Sequence, residues 1–275
     1  MPAKGVTLTP RCLTIATSDS GGGAGIQADL KAFAAAGCHG TSALVALTAQ
    51  NTAAVTAIHE LPRDFVTAQL EAVFDDIGVD AAKTGMLFSR GLIETVADFL
   101  EAHPVPLVVD PVMVASSGAK LLEDDAVETL VGRLFPLATV VTPNLAEAEA
   151  LAGRPGSKAE LAERIHERGA AAVIVTGGHG HPVDHLFDGM DHVEIPVERH
   201  AVAATHGAGC THSATVCAGL ARGLTLAEAA EAAAEAASAA VAHGLAELGA
   251  GEGPVDVIDL KEIREHDRVA ALDRR

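Results

Sequence analysis

Short apolar runs rich in Val, Ile and Ala alternate along the chain with longer segments whose apolar positions recur every three or four residues. The runs at 12–16, 42–47, 81–83, 106–110, 139–142 and 172–176 have the length and near-continuous apolarity of strands buried on both faces. Segments 25–36, 63–74, 89–101, 124–134 and 157–168 show helical spacing, mostly with a polar or proline start and a glycine or proline stop. Alternation of this kind predicts a three-layer α/β/α sandwich with a mostly parallel central sheet, and places functional residues at the C-terminal ends of its strands. Two shorter pieces, 184–187 and 192–196, flank Asp188-Gly189 and predict a small β-hairpin appended to that core. The last third is helical, over 209–221 and 226–248, with Gly223 between. Neither an internal repeat nor a linker divides the chain, so one domain over 1–275 is expected, with its core at about 12–250 and a tail at 251–275.

With 275 residues, 49% of them hydrophobic, the chain has ample material for one large core. Its charge narrows the partners: 19 basic against 37 acidic residues give −18, a field that repels nucleic acid and anionic membranes. A phosphate-bearing ligand therefore has to be held by local groups, such as backbone N–H donors, a helix N-terminus or a cation. Only six of the basic residues are lysine, which fits an acid-rich surface adapted to high salt or a biased genome equally well. No apolar run spans a bilayer and the first ten residues lack the pattern of a secretory signal, so a cytoplasmic protein is expected. The four cysteines are scattered with no C-x-x-C pair, against a disulfide scaffold or zinc finger.

Five constellations carry candidate chemistry. Residues 17–25, T-S-D-S-G-G-G-A-G, follow the first strand and open a helix, where backbone approaches a ligand closely; they match neither a dinucleotide fingerprint nor a Walker A loop, and a plain flexible turn is the competing reading. Residues 205–211, T-H-G-A-G-C-T, precede an Ala-rich helix, so successive N–H groups over 207–210 form an anion hole in prospect. Cys210 in that first turn has a route to thiolate character, whereas Cys217 falls deeper on the same face and suits core packing. Asn144 and Glu147 share one face of a helix's first turn, which suits Mg²⁺, a capping box, or both. Asp110 ends a strand at the sheet rim, as a cation-orienting carboxylate or a turn residue before Pro111. Gln50 offers an amide that donates and accepts together, complementary to a heterocycle with a ring nitrogen beside an amino group. Of the 13 histidines, His179, His181 and His185 lack zinc-site spacing and most are expected in solvent; His206 and His212 flank the anion hole.

Seven segments in order resemble the hydroxymethylpyrimidine/phosphomethylpyrimidine kinases, the thiamine-pathway branch of the ribokinase-like superfamily. They are S-D-S-G-G-G-A-G-I-Q-A-D-L-K at 18–31, A-Q-N-T at 49–52, K-T-G-M-L at 83–87, D-P-V-M-V-A-S-S-G at 110–118, T-P-N-L-A-E-A-E at 142–149, G-G-H at 177–179 and T-H-G-A-G-C-T at 205–211. The resemblance covers roughly residues 12–250.

It implies a ribokinase-like fold, ATP and Mg²⁺ as cofactors, and phosphorylation of 4-amino-5-hydroxymethyl-2-methylpyrimidine and then of its monophosphate. Gln50 falls at the aminopyrimidine edge, Ala24, Met86 and Val112 around the ring, and Thr17 and Asp29 near it. Cys210 takes the catalytic position, where most of the superfamily carries a general-base Asp. Gly207, Ala208 and Gly209 supply the anion hole, and Asn144, Glu147, Thr176, Gly178 and Thr205 fall to nucleotide and phosphate. Asp110 and Glu147 fall to the metal, the contact passing through water. Relatives commonly dimerise, so a homodimer is implied. Three positions depart from the family pattern: Thr17 replaces a usual Gly, Ala208 a common Thr, and Thr176 a frequent Lys. A pyridoxal or pyridoxine kinase, and a non-catalytic pyrimidine-binding sensor, are the alternatives.

Overall fold

The computed structural model describes residues 8–113, 124–177 and 182–263. Nine strands form one sheet in the order β3-β2-β1-β4-β5-β6-β7-β8-β9. Its central strands are parallel: β2 (His39–Gln50), β1 (Arg11–Asp19), β4 (Ala81–Thr84), β5 (Leu107–Val109), β6 (Val140–Val141) and β7 (Val173–Val175). From β4 to β7 every strand residue is buried, as strands covered by helices on both sides require. One face packs on α2 (Arg63–Ala72), α3 (Arg90–Ala102), α4 (Asp124–Leu134), α5 (Leu145–Ala152) and α6 (Lys158–Glu167). The other packs on α1 (Gly25–Ala35), α7 (Ala208–Ala221) and α8 (Leu226–Ala242). The three-layer fold is the one expected.

Three elements differ from the sequence pattern. A strand absent from that pattern, β3 (Val55–Glu60), pairs antiparallel with β2 at the sheet edge, where no residue is fully buried and no apolar alternation marks it. The helix expected over 63–74 stops at Ala72 and runs on through one wider turn at Val73–Ile77. The helix expected to reach 248 ends at Ala242, because Leu245 N–H donates to the Pro254 carbonyl oxygen at 2.8 Å and turns the chain back toward the sheet. The hairpin of β8 (Val183–Phe187) and β9 (His192–Pro196) continues the main sheet through antiparallel pairing of β8 with β7.

Starts and stops follow local chemistry. Asn144 with Glu147, Ser157 with Glu160, and Thr225 with Glu228 close reciprocal capping boxes at α5, α6 and α8. The α7 start has no side-chain cap and no acidic residue in its first turn. Because the chain goes from β1 out to β2 and returns to β4 on the other side of β1, the sheet reverses direction beside β1, and crevices at such reversals hold ligands. No helix among the described residues is long and apolar enough to cross a membrane.

Candidate active site

A cleft enclosing about 900 Å³, its open mouth included, lies at the C-terminal ends of the parallel strands. β1 contributes Thr17 and Asp19, β2 Gln50, β4 Lys83, and the ends of β5, β6 and β7 contribute Asp110, Thr142 and Thr176. The start of α7 closes it with Gly207, Ala208, Gly209 and Cys210.

Two loops meet there at a distance only glycine permits. Gly207 takes φ +87°, and a Cβ on it would lie 1.8 Å from the Gly23 carbonyl oxygen. Gly25, at φ +56°, would put a Cβ 2.3 Å from the Thr17 carbonyl oxygen. The first approach brings the second glycine-rich loop against the first, and the other folds the first loop back onto the end of β1. The strand register of β1 shifts between Ala16 and Ser18, a bulge that re-aims Thr17. Its hydroxyl donates to the Met86 carbonyl oxygen at 3.0 Å.

Ala24, Met86 and Val112 give the cleft apolar lining, and Gln50 shares it. The Gln50 backbone is pinned on both sides by Ser20: Gln50 N–H donates to Ser20 Oγ at 2.8 Å and Ser20 Oγ donates to the Gln50 carbonyl oxygen at 2.7 Å. Asp19 organises the loop between them, its carboxylate accepting from Gly21, Gly23 and Ala24 N–H groups. The first turn of α7 lines the same cleft. The N–H groups of Gly209 and Cys210 meet no acceptor among the described residues, as expected for the uncapped start of a helix.

Two features of this turn correct the sequence reading. Ala208 does not offer its amide to the cleft, because its N–H closes a turn on the Thr205 carbonyl oxygen at 3.1 Å. Cys210 is not poised as a thiolate: burial pushes its thiol up to about 12, Asp29 and Asp110 push the same way, and the opposing Lys83 charge and Gly25 N–H do not offset the three together.

Beneath Cys210 lies a buried polar floor. Lys83 Nζ is 2.6 Å from Asp29 Oδ1 and 3.7 Å from Asp110 Oδ2. Thr14 donates to Asp29 Oδ2 at 2.6 Å, and Ser213 donates to Asp110 Oδ2 at 2.7 Å. Burial opposes the Lys83 charge, but the carboxylates outweigh it and hold its proton more firmly than usual. Asp29, expected near the ring from the resemblance, does not line the cleft; it is fully buried and paired with Lys83, which does line it. On the far wall, Asn144 Oδ1 accepts from Glu147 N–H at 2.9 Å while Glu147 accepts from the N–H groups of Asn144 and Met113. Burial and the nearby Asp110 carboxylate push the Glu147 carboxyl up to about 8.

Of the residues singled out in the sequence, the cleft brings together Thr17, Ala24, Gln50, Met86, Asp110, Val112, Asn144, Glu147, Thr176, Thr205 and 207–210. Thr176 spends its hydroxyl on the Pro143 carbonyl oxygen, and Thr205 donates to Glu252. Gly178, His179 and His181 lie outside the described residues. His206 lines the cleft, but His212 is buried on α7 with its Nε2 3.2 Å from Asp184 Oδ2. His185, expected in solvent with most of the histidines, is also buried, its Nε2 2.8 Å from His192 Nδ1. Cys217 is core, as expected. Asp19, in the polar T-S-D-S stretch that favours a site, lines the cleft as well, whereas Lys83 carries no role in the sequence reading; a lysine inside an apolar strand run is the signal that marks it.

A family model described as phosphomethylpyrimidine kinase matches residues 19–256. The chain is 49% identical over 257 residues, 90% of its length and 97% of the relative's, to a hydroxymethylpyrimidine/phosphomethylpyrimidine kinase of Rhizobium meliloti. Among solved structures, an ADP complex of Bacillus subtilis pyridoxal kinase superposes with a TM-score of 0.85 at 39% identity, covering 92% of this chain and 99% of that one. A Clostridium difficile phosphomethylpyrimidine kinase superposes with a TM-score of 0.73 at 39% identity, covering 82% and 96%.

Proposed function

The chain belongs to the phosphomethylpyrimidine kinase family, and on that premise we propose that it transfers phosphoryl groups from ATP to 4-amino-5-hydroxymethyl-2-methylpyrimidine and then to its monophosphate, in thiamine biosynthesis. The observation that carries this reading is that one cleft joins the Gln50 amide, flanked by apolar walls, to the open N–H groups at the start of α7. A flat aminopyrimidine suits the amide and its apolar neighbours, and a transferred phosphoryl group suits the helix start, because the positive end of a 14-residue helix favours an anion there. The −18 charge of the chain does not oppose this, since backbone dipoles act at contact range.

Cys210 lies where the acceptor hydroxyl would approach. It enters as a neutral thiol, and phosphoryl transfer through a loose transition state asks little of a base until late in the reaction. Its work is to hold the hydroxyl in line, and the hydroxyl proton passes to an oxygen of the transferred phosphoryl group as the new O–P bond forms and the bond to the nucleotide breaks. The monophosphate acceptor is already anionic, so the second transfer rests on alignment and charge neutralisation.

Mg²⁺ is part of the same reading. Asp110 and Glu147 line the cleft together, and the upward push on Glu147 marks two carboxylates whose charges oppose one another, a donor set that fits a divalent cation. When bound there, such an ion neutralises charge on the nucleotide phosphates. Among the described residues no three His, Cys, Asp or Glu side chains gather as a metal cage, so phosphates and water would complete its coordination.

The four cysteines are unpaired, which fits a reducing compartment such as the cytoplasm. A homodimer has the outer edge of β9 available to it. The likeness to pyridoxal kinase structures supports a second reading, phosphorylation of a pyridoxal hydroxymethyl group. Steady-state ADP release measured with each acceptor separates them: the proposal expects kcat/KM for the hydroxymethylpyrimidine to exceed that for pyridoxal at least tenfold, and the reverse order overturns it.

A further inference from the structure

Counting hydrogens around Gln50 exposes a mismatch. Among the described residues its amide has two polar side-chain neighbours: Oε1 is 3.2 Å from Thr48 Oγ1 and Nε2 is 3.5 Å from His206 Nε2. Thr48 has one hydroxyl hydrogen, already donated to the Ser18 carbonyl oxygen at 2.9 Å. That leaves lone pairs facing the Gln50 oxygen. His206 Nε2 lies 3.2 Å from Asp19 Oδ2. Burial opposes charge on Asp19, but His206 and the backbone donors of Ala24 and Gly21 prevail and hold its carboxyl below the usual range. An ionised carboxylate only accepts, so His206 Nε2 carries the hydrogen. The Gln50 NH₂ group then faces an N–H.

We propose that His206, itself fixed by Asp19, sets the Gln50 amide with its oxygen toward His206 and its nitrogen toward Thr48, so that the amide reads a ligand's donor and acceptor in one order only. A half-turn of the amide changes no shape and gives both ends complementary partners: Oε1 accepts from His206 Nε2–H, and Nε2 donates to Thr48 Oγ1. Each end keeps one valence for the ligand, a lone pair on Oε1 and a hydrogen on Nε2. A 4-aminopyrimidine answers with an amino N–H beside a ring-nitrogen lone pair. Its 4-oxo analogue presents the reverse order and sets donor against donor. His206 is thus a positioning residue that determines specificity through Gln50, an inference that rests on the cleft being a pyrimidine site.

Gly23 provides independent leverage. A Cβ there would lie 2.4 Å from His206 Cδ2, so Gly23→Ala displaces the ring without altering it. The test is the ratio of kcat/KM for the 4-amino acceptor to that for the 4-oxo analogue, a ratio taken on one preparation and so insensitive to the folded fraction. Wild type is expected to prefer the 4-amino compound by about 10²-fold, since a mismatched polar pair in a closed site is strongly rejected. His206→Leu and Gly23→Ala are expected to narrow that preference about tenfold by letting the amide turn. His206→Gln, which keeps an N–H donor at similar reach, is expected to hold it. A wild-type preference that both His206→Leu and Gly23→Ala leave within threefold overturns the inference alone; absence of any preference in wild type overturns the pyrimidine reading with it.

Discussion

Lys83 Nζ lies 2.6 Å from Asp29 Oδ1, and neither side chain is exposed to solvent. Two charges taken wholly out of water are tolerable only together, so removing one strands the other. Lys83→Met is therefore expected to lower stability by about 3–5 kcal/mol, roughly 10 °C in melting temperature for a chain of this size. Lys83→Met combined with Asp29→Leu is expected to regain most of that loss. Thermal unfolding of the three proteins checks it, and a double variant no more stable than the single one contradicts the pairing.

The meeting of the two glycine loops gives a second expectation. Gly207→Ala demands both a left-handed backbone and a Cβ 1.8 Å from a main-chain oxygen, so the start of α7 has to move away from the cleft. Turnover is expected to fall at least 10²-fold while the melting temperature drops by only a few degrees, because the contact lies at the rim of the fold. Full activity in this variant would show that the loops need not touch.

Glu147 serves both as an α5 cap and as a candidate cation ligand, and Glu147→Gln separates the roles because glutamine at this position still completes a capping box. The half-saturating Mg²⁺ concentration is expected to rise severalfold with the melting temperature unchanged or higher. The sign follows from protonation. With its carboxyl raised from 4.5 to about 8, Glu147 contributes stability that is fully present below about 4.5 and is lost as pH rises through about 8. Melting temperature recorded from pH 5 to 9 should fall less steeply for Glu147→Gln than for wild type. Identical slopes and identical Mg²⁺ dependence would reduce Glu147 to a cap.

Much of this site was legible in the chain itself, and what was not has identifiable causes. Gln50, Asn144, Glu147 and Cys210 stand in motifs whose spacing constrains them to the strand ends and helix starts that line the cleft. The layers follow from apolar period, since β5 to β7 are apolar throughout and helices on both faces hide them. Edge strand β3 escaped because an exposed strand carries no such pattern. The thiolate expected at Cys210 failed for a different reason: a helix start favours the anion, but burial and two carboxylates contributed by distant segments outweigh it, and only tertiary structure brings them together. Ala208 illustrates the same limit at the scale of one hydrogen bond, its amide turned onto Thr205 by a local turn.

The central claim, that Cys210 faces an acceptor hydroxyl beside open main-chain donors, is tested most directly by measuring the two phosphorylations separately on Cys210→Ala. The first, on the hydroxymethyl group, is expected to slow by about 10²-fold, the scale on which a misaligned reacting group slows a transfer, while the second, on the monophosphate, changes by less than about threefold. An unaltered first step, or equal loss in both, would contradict the assignment.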